Sequence, residues 1–456
     1  MKRMVLGLLA SFACLGQTAN PVGVLADGYL RDLIKLDTSN PPGNESLVAK
    51  YLKQVADREG IPAEMLGPDP ARLNLIARLK GSGKQRPLLL MAHSDVVPVE
   101  RSQWTVEPFS AVEKNGYIYG RGTEDTKNLL AAELAAIVHL KRTTALLDRD
   151  IILVCESDEE SGSSGMKWLI ANAWPKMDAE FALNEFSYSV HTPSGSDVFQ
   201  IQTAEKIPTR IHLTAKGVAG HGSLPREDNA VTHLARAIVK LTDAAQPVAL
   251  NTTTRAYFRE ISKLPEYSAL GPLVAQLDNP LQSDKAAAAI TKVDPEFGAM
   301  LHFSLSPTML SGGIRINVIP NSVEAMVDGR RLPGEDPAAV FQRLRAIVGD
   351  PAVTVEPAEK DMQPSTEPSS LTSPLYKAME SVFRESSPKA LVVPFMMRGT
   401  TDGAFLRAKG MAVYGVPVFR KDGQLRMHGN DERISVENLK SGAEMLEKIV
   451  LRVATP

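Results

Sequence analysis

The sequence predicts an α/β layered domain interrupted by a smaller α+β domain, and three observations carry that expectation. Helical periodicities alternate with short apolar runs between residues 26 and 186. Half-exposed strand patterns take over after residue 207, and helix-forming, motif-rich sequence returns after residue 368. A chain of 456 residues also exceeds what one hydrophobic core usually organises.

In chain order, helices are expected at 25–36, 45–59, 126–142 and 164–173. Strands are expected at 73–79, 87–97, 151–156 and 181–185, where the runs are apolar and partly β-branched, as buried strands are. In the second region, strands are expected at 209–215, 311–318 and 323–330 and a helix at 230–242. The polar, proline-bearing stretch 356–368 leads back to the first domain. The expected partition is a main domain over 26–206 and 360–456 and an inserted domain over 207–359.

Lys2 and Arg3 precede an apolar stretch from Met4 to about Leu15, too short to span a bilayer, so residues 1–20 read as an export signal. Cleavage is expected between Gln17 and Asp27, leaving a periplasmic or secreted protein with no membrane span. Ser11-Phe12-Ala13-Cys14 loosely resembles a lipoprotein processing site, with a poor match at Ser11. The mature chain keeps Cys155 alone, inside an apolar run, which excludes an internal disulfide. A formal net charge of -2 gives no footprint for nucleic acid or anionic membrane. With 43% hydrophobic and 23% charged residues the composition is that of a globular protein, excluding a fibrous repeat.

The chemistry-bearing residues gather at strand ends, where open α/β sheets place their ligands. His93 and Asp95 stand at i and i+2, so both project from one face of a strand. A metal-bound imidazole needs its second nitrogen held by an acceptor, though a hydrogen-bonded structural histidine shows the same pattern. Gly120-Arg121-Gly122-Thr123-Glu124-Asp125 opens a helix, and Asp125 reads either as a ligand or as an N-cap. Asp158, Glu159 and Glu160 follow a strand directly; three adjacent carboxylates are either solvated or compensated by a cation. Glu185 ends another strand, and His428 lies far down the chain in Met427-His428-Gly429-Asn430-Asp431-Glu432. Two histidines with several carboxylates suit a pair of zinc ions. Gly81-Ser82-Gly83-Lys84 lacks the full spacing of a phosphate loop and reads as a surface turn.

The strings HSDVVP, WTVEPFSAVEKNGYIYGRGTEDTK, ESDEESG, GVAGHGSLP, NVIP, DGRRLPGED, GTTDGAF and HGNDERI run in one order along the chain. In this the sequence resembles the co-catalytic zinc hydrolases that include carboxypeptidase S, glutamate carboxypeptidase, aminoacylase, acetylornithine deacetylase and succinyl-diaminopimelate desuccinylase, with the carboxypeptidase S branch most alike. The resemblance implies a three-layer α/β/α zinc-dependent exopeptidase fold with an inserted lid and dimerisation domain. It implies two Zn2+, with Co2+ or Mn2+ as substitutes. Asp125 would bridge them, His93 and Glu185 completing one site and Glu160 and His428 the other. Asp95 would orient His93, and Glu159 would be the general base. His221 matches the residue that, in dimeric members, reaches a neighbouring subunit's site to polarise the substrate carbonyl. Asn317 and Arg330 match groups that hold a terminal carboxylate, with Gly399 and Thr401 at the same end of the pocket. Asn128 departs from the glycine common after the motif's lysine, and 252–302 matches nothing assignable.

The implied activity is hydrolysis of a peptide or amide bond beside a free C-terminal carboxylate, by a water that two zinc ions activate. Deacylation of N-acyl amino acids is the alternative, since the same machinery cuts any amide whose amine product keeps its carboxylate. A non-catalytic peptide-binding protein would need no base at Glu159. Hinge closure is expected near Ile207 and 356–368, because the inserted domain must approach the metals.

Overall fold

The computed structural model describes residues 21–359, 363–423 and 425–455; the expected leader and the expected boundary at residue 360 lie outside them. Nine strands form a mixed central sheet. Its path runs Ala63–Leu66, Asn74–Leu79, Ile151–Glu156, Leu88–His93, Phe181–Asn184, Ala412–Gly415, Asp197–Glu205 and Leu391–Met397, with Ser189–His191 beside Asp197–Glu205. Strand Leu88–His93 pairs in parallel with both Ile151–Glu156 and Phe181–Asn184, so all three end at the same edge of the sheet.

Side-chain alternation splits these central strands between two cores. Leu88, Leu90, Ile151, Leu153 and Cys155 pack toward one face, which helices Pro21–Ile34, Lys127–Arg142 and Val436–Ala454 cover. Leu89, Met91, Ile152 and Val154 pack toward the other, against Met166 and Leu169 of helix Ser164–Asn172. The expected three-layer α/β/α arrangement is therefore observed. No helix among the described residues is long and apolar enough to cross a membrane.

A second, antiparallel sheet has five strands: Ile207–Pro208, Ile211–Lys216, Ser304–Gly312, Ser322–Arg331 and Val353–Pro357. Helices Ala230–Asp243 and Pro337–Val348 cover one of its faces through Leu234, Leu241, Phe341 and Leu344. A single residue, Lys206, separates the end of one sheet's strand from the start of the other's. Its buried ammonium donates to the carbonyls of Ala299 and His302 at 2.9 and 2.7 Å and to Ser304 Oγ at 2.9 Å.

Two expectations are corrected. The strand expected at 311–318 is instead Ser304–Gly312, followed by a turn and the short strand Val318–Ile319. Exposed Ile314 and Ile316 mimic strand alternation there without a core to face. The unassigned stretch 252–302, read as part of the insert, contributes helices Thr252–Ile261 and Ser283–Val293 to a core with Val198, Val393 and Met396 of the large sheet. Tyr257, Phe258 and Phe297 make edge-on ring contacts that seal it.

Candidate metal centre

Because three parallel strands end together, His93, the Asp158–Glu160 turn and Glu185 converge at one edge. The fourth contribution comes from the turn before helix Lys127–Arg142, where Gly122 adopts a φ of 92°. A side chain there would be strained, and its Cβ would stand 3.0 Å from Val96 Cγ1. The tight turn delivers buried Asp125 to the centre of the site.

His93 Nε2 lies 3.0 Å from Asp125 Oδ1 and 3.2 Å from Glu185 Oε2. His428 Nε2 lies 2.9 Å from the other oxygen, Asp125 Oδ2, and 3.2 Å from Glu160 Oε2. One carboxylate is thus shared by two three-residue clusters, His93–Asp125–Glu185 and Asp125–Glu160–His428, each compact enough to hold an ion. The donor chemistry fits a borderline divalent metal such as zinc. His93 Nδ1 stands 2.9 Å from the backbone carbonyl of Asp95, which can only accept, so Nδ1 carries a proton. Nε2 faces two carboxylates at close range, so a proton or a metal ion must sit between them. Glu160 Oε1 is buried with no hydrogen-bond partner, a further acceptor left for a ligand.

The electrostatics reflect crowded acids. Burial raises Glu185 to about 7, countered in part by His93. Burial and the Glu185 charge push Glu159 well above the usual carboxylate range. Hydrogen bonds to Asp125 and Glu160 raise His428 to about 10. Burial opposes charging of His93, yet Glu185 and Asp125 outweigh it and hold the ring well above its ordinary value.

Asp95, expected to orient His93, meets the ring chiefly through its backbone. The imidazole's nearer acceptor is the Asp95 backbone carbonyl; the carboxylate oxygen is 3.6 Å away. That carboxylate instead accepts the backbone N–H of Glu159 at 3.1 Å and of Glu160 at 3.2 Å, with Asn40 Nδ2 at 2.8 Å. It fixes the acidic turn that carries Glu159, the expected base, and Glu160, an expected ligand. Asp158, at the head of that turn with a φ of 67°, pairs with Arg72 at 2.8 Å.

Glu432 is the residue that sequence reasoning passed over, although its position four residues after His428 in the same motif was a signal. It is fully buried and pairs with Arg121 at 2.6 Å. It also accepts the backbone N–H groups of Gly122, Glu124 and Asp125 at 3.1, 2.7 and 3.2 Å. The distant C-terminal loop that carries His428 is thereby latched to the turn that carries Asp125.

A cavity of about 780 Å³ opens over the centre, lined by Asp125, Glu159, Glu160 and His428 and, from the second sheet, Arg330 and Arg210. Gly399 and Thr400 line it as well. Thr401, expected at the substrate, does not. Its side chain is fully buried and donates to Glu205 Oε2 at 2.8 Å, while Asn184 donates to it at 3.1 Å. Glu205 is held in turn by Arg407 at 2.7 Å, so Thr401 shapes the turn and does not face the cavity. His221 and Asn317 come together on a short ribbon, with Gly222 N–H donating to the Asn317 carbonyl at 2.8 Å, but neither lines this cavity. Ser223 N–H donates to His221 Nδ1 at 3.2 Å, leaving Nε2–H of an exposed ring free to donate outward.

The family model described as Peptidase family M20/M25/M40 matches residues 89–452. Human N-fatty-acyl-amino acid synthase/hydrolase PM20D1 is 26% identical over 386 residues, covering 81% of this chain and 74% of that protein. Aminoacylase-1 of Pongo abelii is 25% identical over 432 residues, covering 93% and 94%. Among solved structures, the M20 family metallo-carboxypeptidase Sso-CP2 from Sulfolobus solfataricus superposes with a TM-score of 0.70 at 22% identity, covering 94% of this chain and 98% of that one.

Proposed function

Since the chain belongs to peptidase family M20/M25/M40 and is a hydrolase of the metallopeptidase and aminoacylase type, we propose that it cleaves an amide bond beside a free carboxylate with two zinc ions. The observation that carries this reading is Asp125, whose two carboxylate oxygens face two separate histidines. His93 and Glu185 would complete one ion's ligands, Glu160 and His428 the other's. When bound, such a pair lowers the pKa of water toward roughly 7 and polarises a carbonyl.

The protein's own groups supply the rest. Glu159, on the turn that Asp95 holds, takes the proton from the attacking water and passes it to the departing amine. Arg330, whose planar fork matches a carboxylate, binds the amine half of the substrate across the cavity. On this reading His221 serves the cavity of a neighbouring copy, donating from Nε2 to the oxyanion that forms. The copies meet along Ser304–Gly312, which pairs on one side only among the described residues and exposes Met309 and Leu310. Closure of the two sheets pivots at Lys206, where the chain crosses between them.

The names of the two curated relatives favour N-acyl amino acids as a second substrate class beside dipeptides. The test is hydrolysis of a panel of dipeptides and N-acyl amino acids by the zinc-loaded protein, with Glu159→Ala as the matched control. Release of the carboxylate-bearing amine, lost in the variant with zinc still bound, supports the proposal; no turnover of any member refutes it.

A further inference from the structure

Phe186 follows the ligand Glu185 directly and has a φ of 62°, the left-handed region that crowds any Cβ and suits glycine. A bulky ring persists in that conformation only where its surroundings over-determine it, and such outliers gather at functional sites. Packing does not account for it here. Phe186 is half-buried, belongs to none of the four hydrophobic clusters and makes no ring–ring contact among the described residues. Its one described environment is the cavity over the metal centre.

Met427 repeats the pattern on the other side. It precedes the ligand His428, lines the same cavity and belongs to no hydrophobic cluster. One apolar side chain therefore borders each of the two ligand clusters. The cavity's arginines enter from the opposite sheet, Arg330 beside Asp328 at 3.1 Å and Arg210 paired with Glu359. The carboxylate-bearing half of a substrate belongs with those cations. Lys167, the third cation on the lining, donates to the Gly162 carbonyl at 3.0 Å, and what remains against Phe186 and Met427 is the half that carries the scissile carbonyl.

We propose that Phe186 is the specificity-determining wall of the acyl side, selecting amides whose carbonyl half bears a bulky apolar group, aliphatic or aromatic, over small or charged ones. The inference rests on the amide-hydrolase reading above. It adds which half of the substrate is recognised, by what chemistry, and why a strained aromatic stands next to a ligand. A glycine at 186 would relax the backbone, so stability and selectivity are set against each other at this position.

The zinc-loaded wild type, Phe186→Gly and Phe186→Leu are assayed with N-acetylalanine against N-phenylacetylalanine and with Ala-Ala against Phe-Ala, alongside thermal melts. In Phe186→Gly the melting temperature is expected to hold or rise. Its kcat/KM for the bulky member of each pair should fall at least about tenfold, the scale of a lost apolar contact. The small member should stay within about threefold, and Phe186→Leu should keep most of the preference. An unchanged ratio in Phe186→Gly overturns the proposal, as does an equal fall for both members with a lowered melting temperature. A wild type that prefers the small member overturns the wall and leaves the hydrolase reading standing, whereas a wild type that cleaves none of the four refutes the hydrolase reading itself.

Discussion

Glu432 Oε1 accepts the backbone N–H of Asp125 at 3.2 Å, joining two residues 307 positions apart in the chain and setting the carboxylate shared by the two clusters in place from behind. The same carboxylate binds Arg121, so its charge is matched where it is fully buried. Partners that orient a ligand typically change metal affinity by about 10- to 100-fold when lost. Glu432→Gln should therefore weaken zinc binding by roughly that factor while the fold persists, read by competition with a chromophoric chelator.

Glu159 approaches the cavity without belonging to either ligand cluster. Glu159→Gln should retain zinc stoichiometry and lose about 10²- to 10⁴-fold in kcat, the usual contribution of a general base. Parallel loss of zinc would assign Glu159 to the ligands.

Lys206 gives a pH signature remote from the metal centre. Burial lowers its ammonium from 10.5 to about 7. Glu335 and Asp328 favour the charge, and Arg330 and Arg398 oppose it. Between those two values the unfolded chain binds the additional proton, so this group's contribution to stability rises as pH climbs from about 7 toward 10 and is lost on return to 7. Lys206→Met removes three hydrogen bonds and should flatten that slope. Urea melts at intervals of pH, compared as wild type minus variant, measure it.

The proposed interface between copies is tested on its exposed apolar side chains. Leu310 and Ile316 are 70% and 105% exposed on and beside the edge strand. Leu310→Lys with Ile316→Glu should yield a monomer in sedimentation. Activity should then fall on the order of a hundredfold, the cost of losing one oxyanion donor, because His221 can no longer reach a second copy. A monomeric wild type of full activity would remove the interface and His221 from the mechanism.

Much of the candidate site was legible in the chain because His93, Asp125, Glu160 and Glu185 lie where a strand ends or a helix begins, and such junctions carry local marks. His93 ends an apolar run, Asp125 follows the glycine-flexed turn, and Glu159 and Glu160 follow Ile151–Glu156. His428 had no such local mark, and its place among the ligands came from the resemblance. The misreadings share one cause. Alternating Ile314 and Ile316 looked like a buried strand face, and Thr401 looked like a pocket residue, because burial and facing direction are not properties of a local pattern.

By itself the sequence determined the α/β layering and the second sheet's central strands and marked out the candidate metal-binding side chains, since periodicity and residue chemistry act over a few neighbouring positions. Only the tertiary structure decided that the Asp95 carboxylate holds the acidic turn while its carbonyl holds His93. It alone placed the helices of 252–299 on the large sheet, made Glu432 a latch and put Phe186 in a left-handed backbone against the cavity. Those outcomes depend on which distant segments compete for the same buried groups, and that competition is resolved only when the whole chain packs.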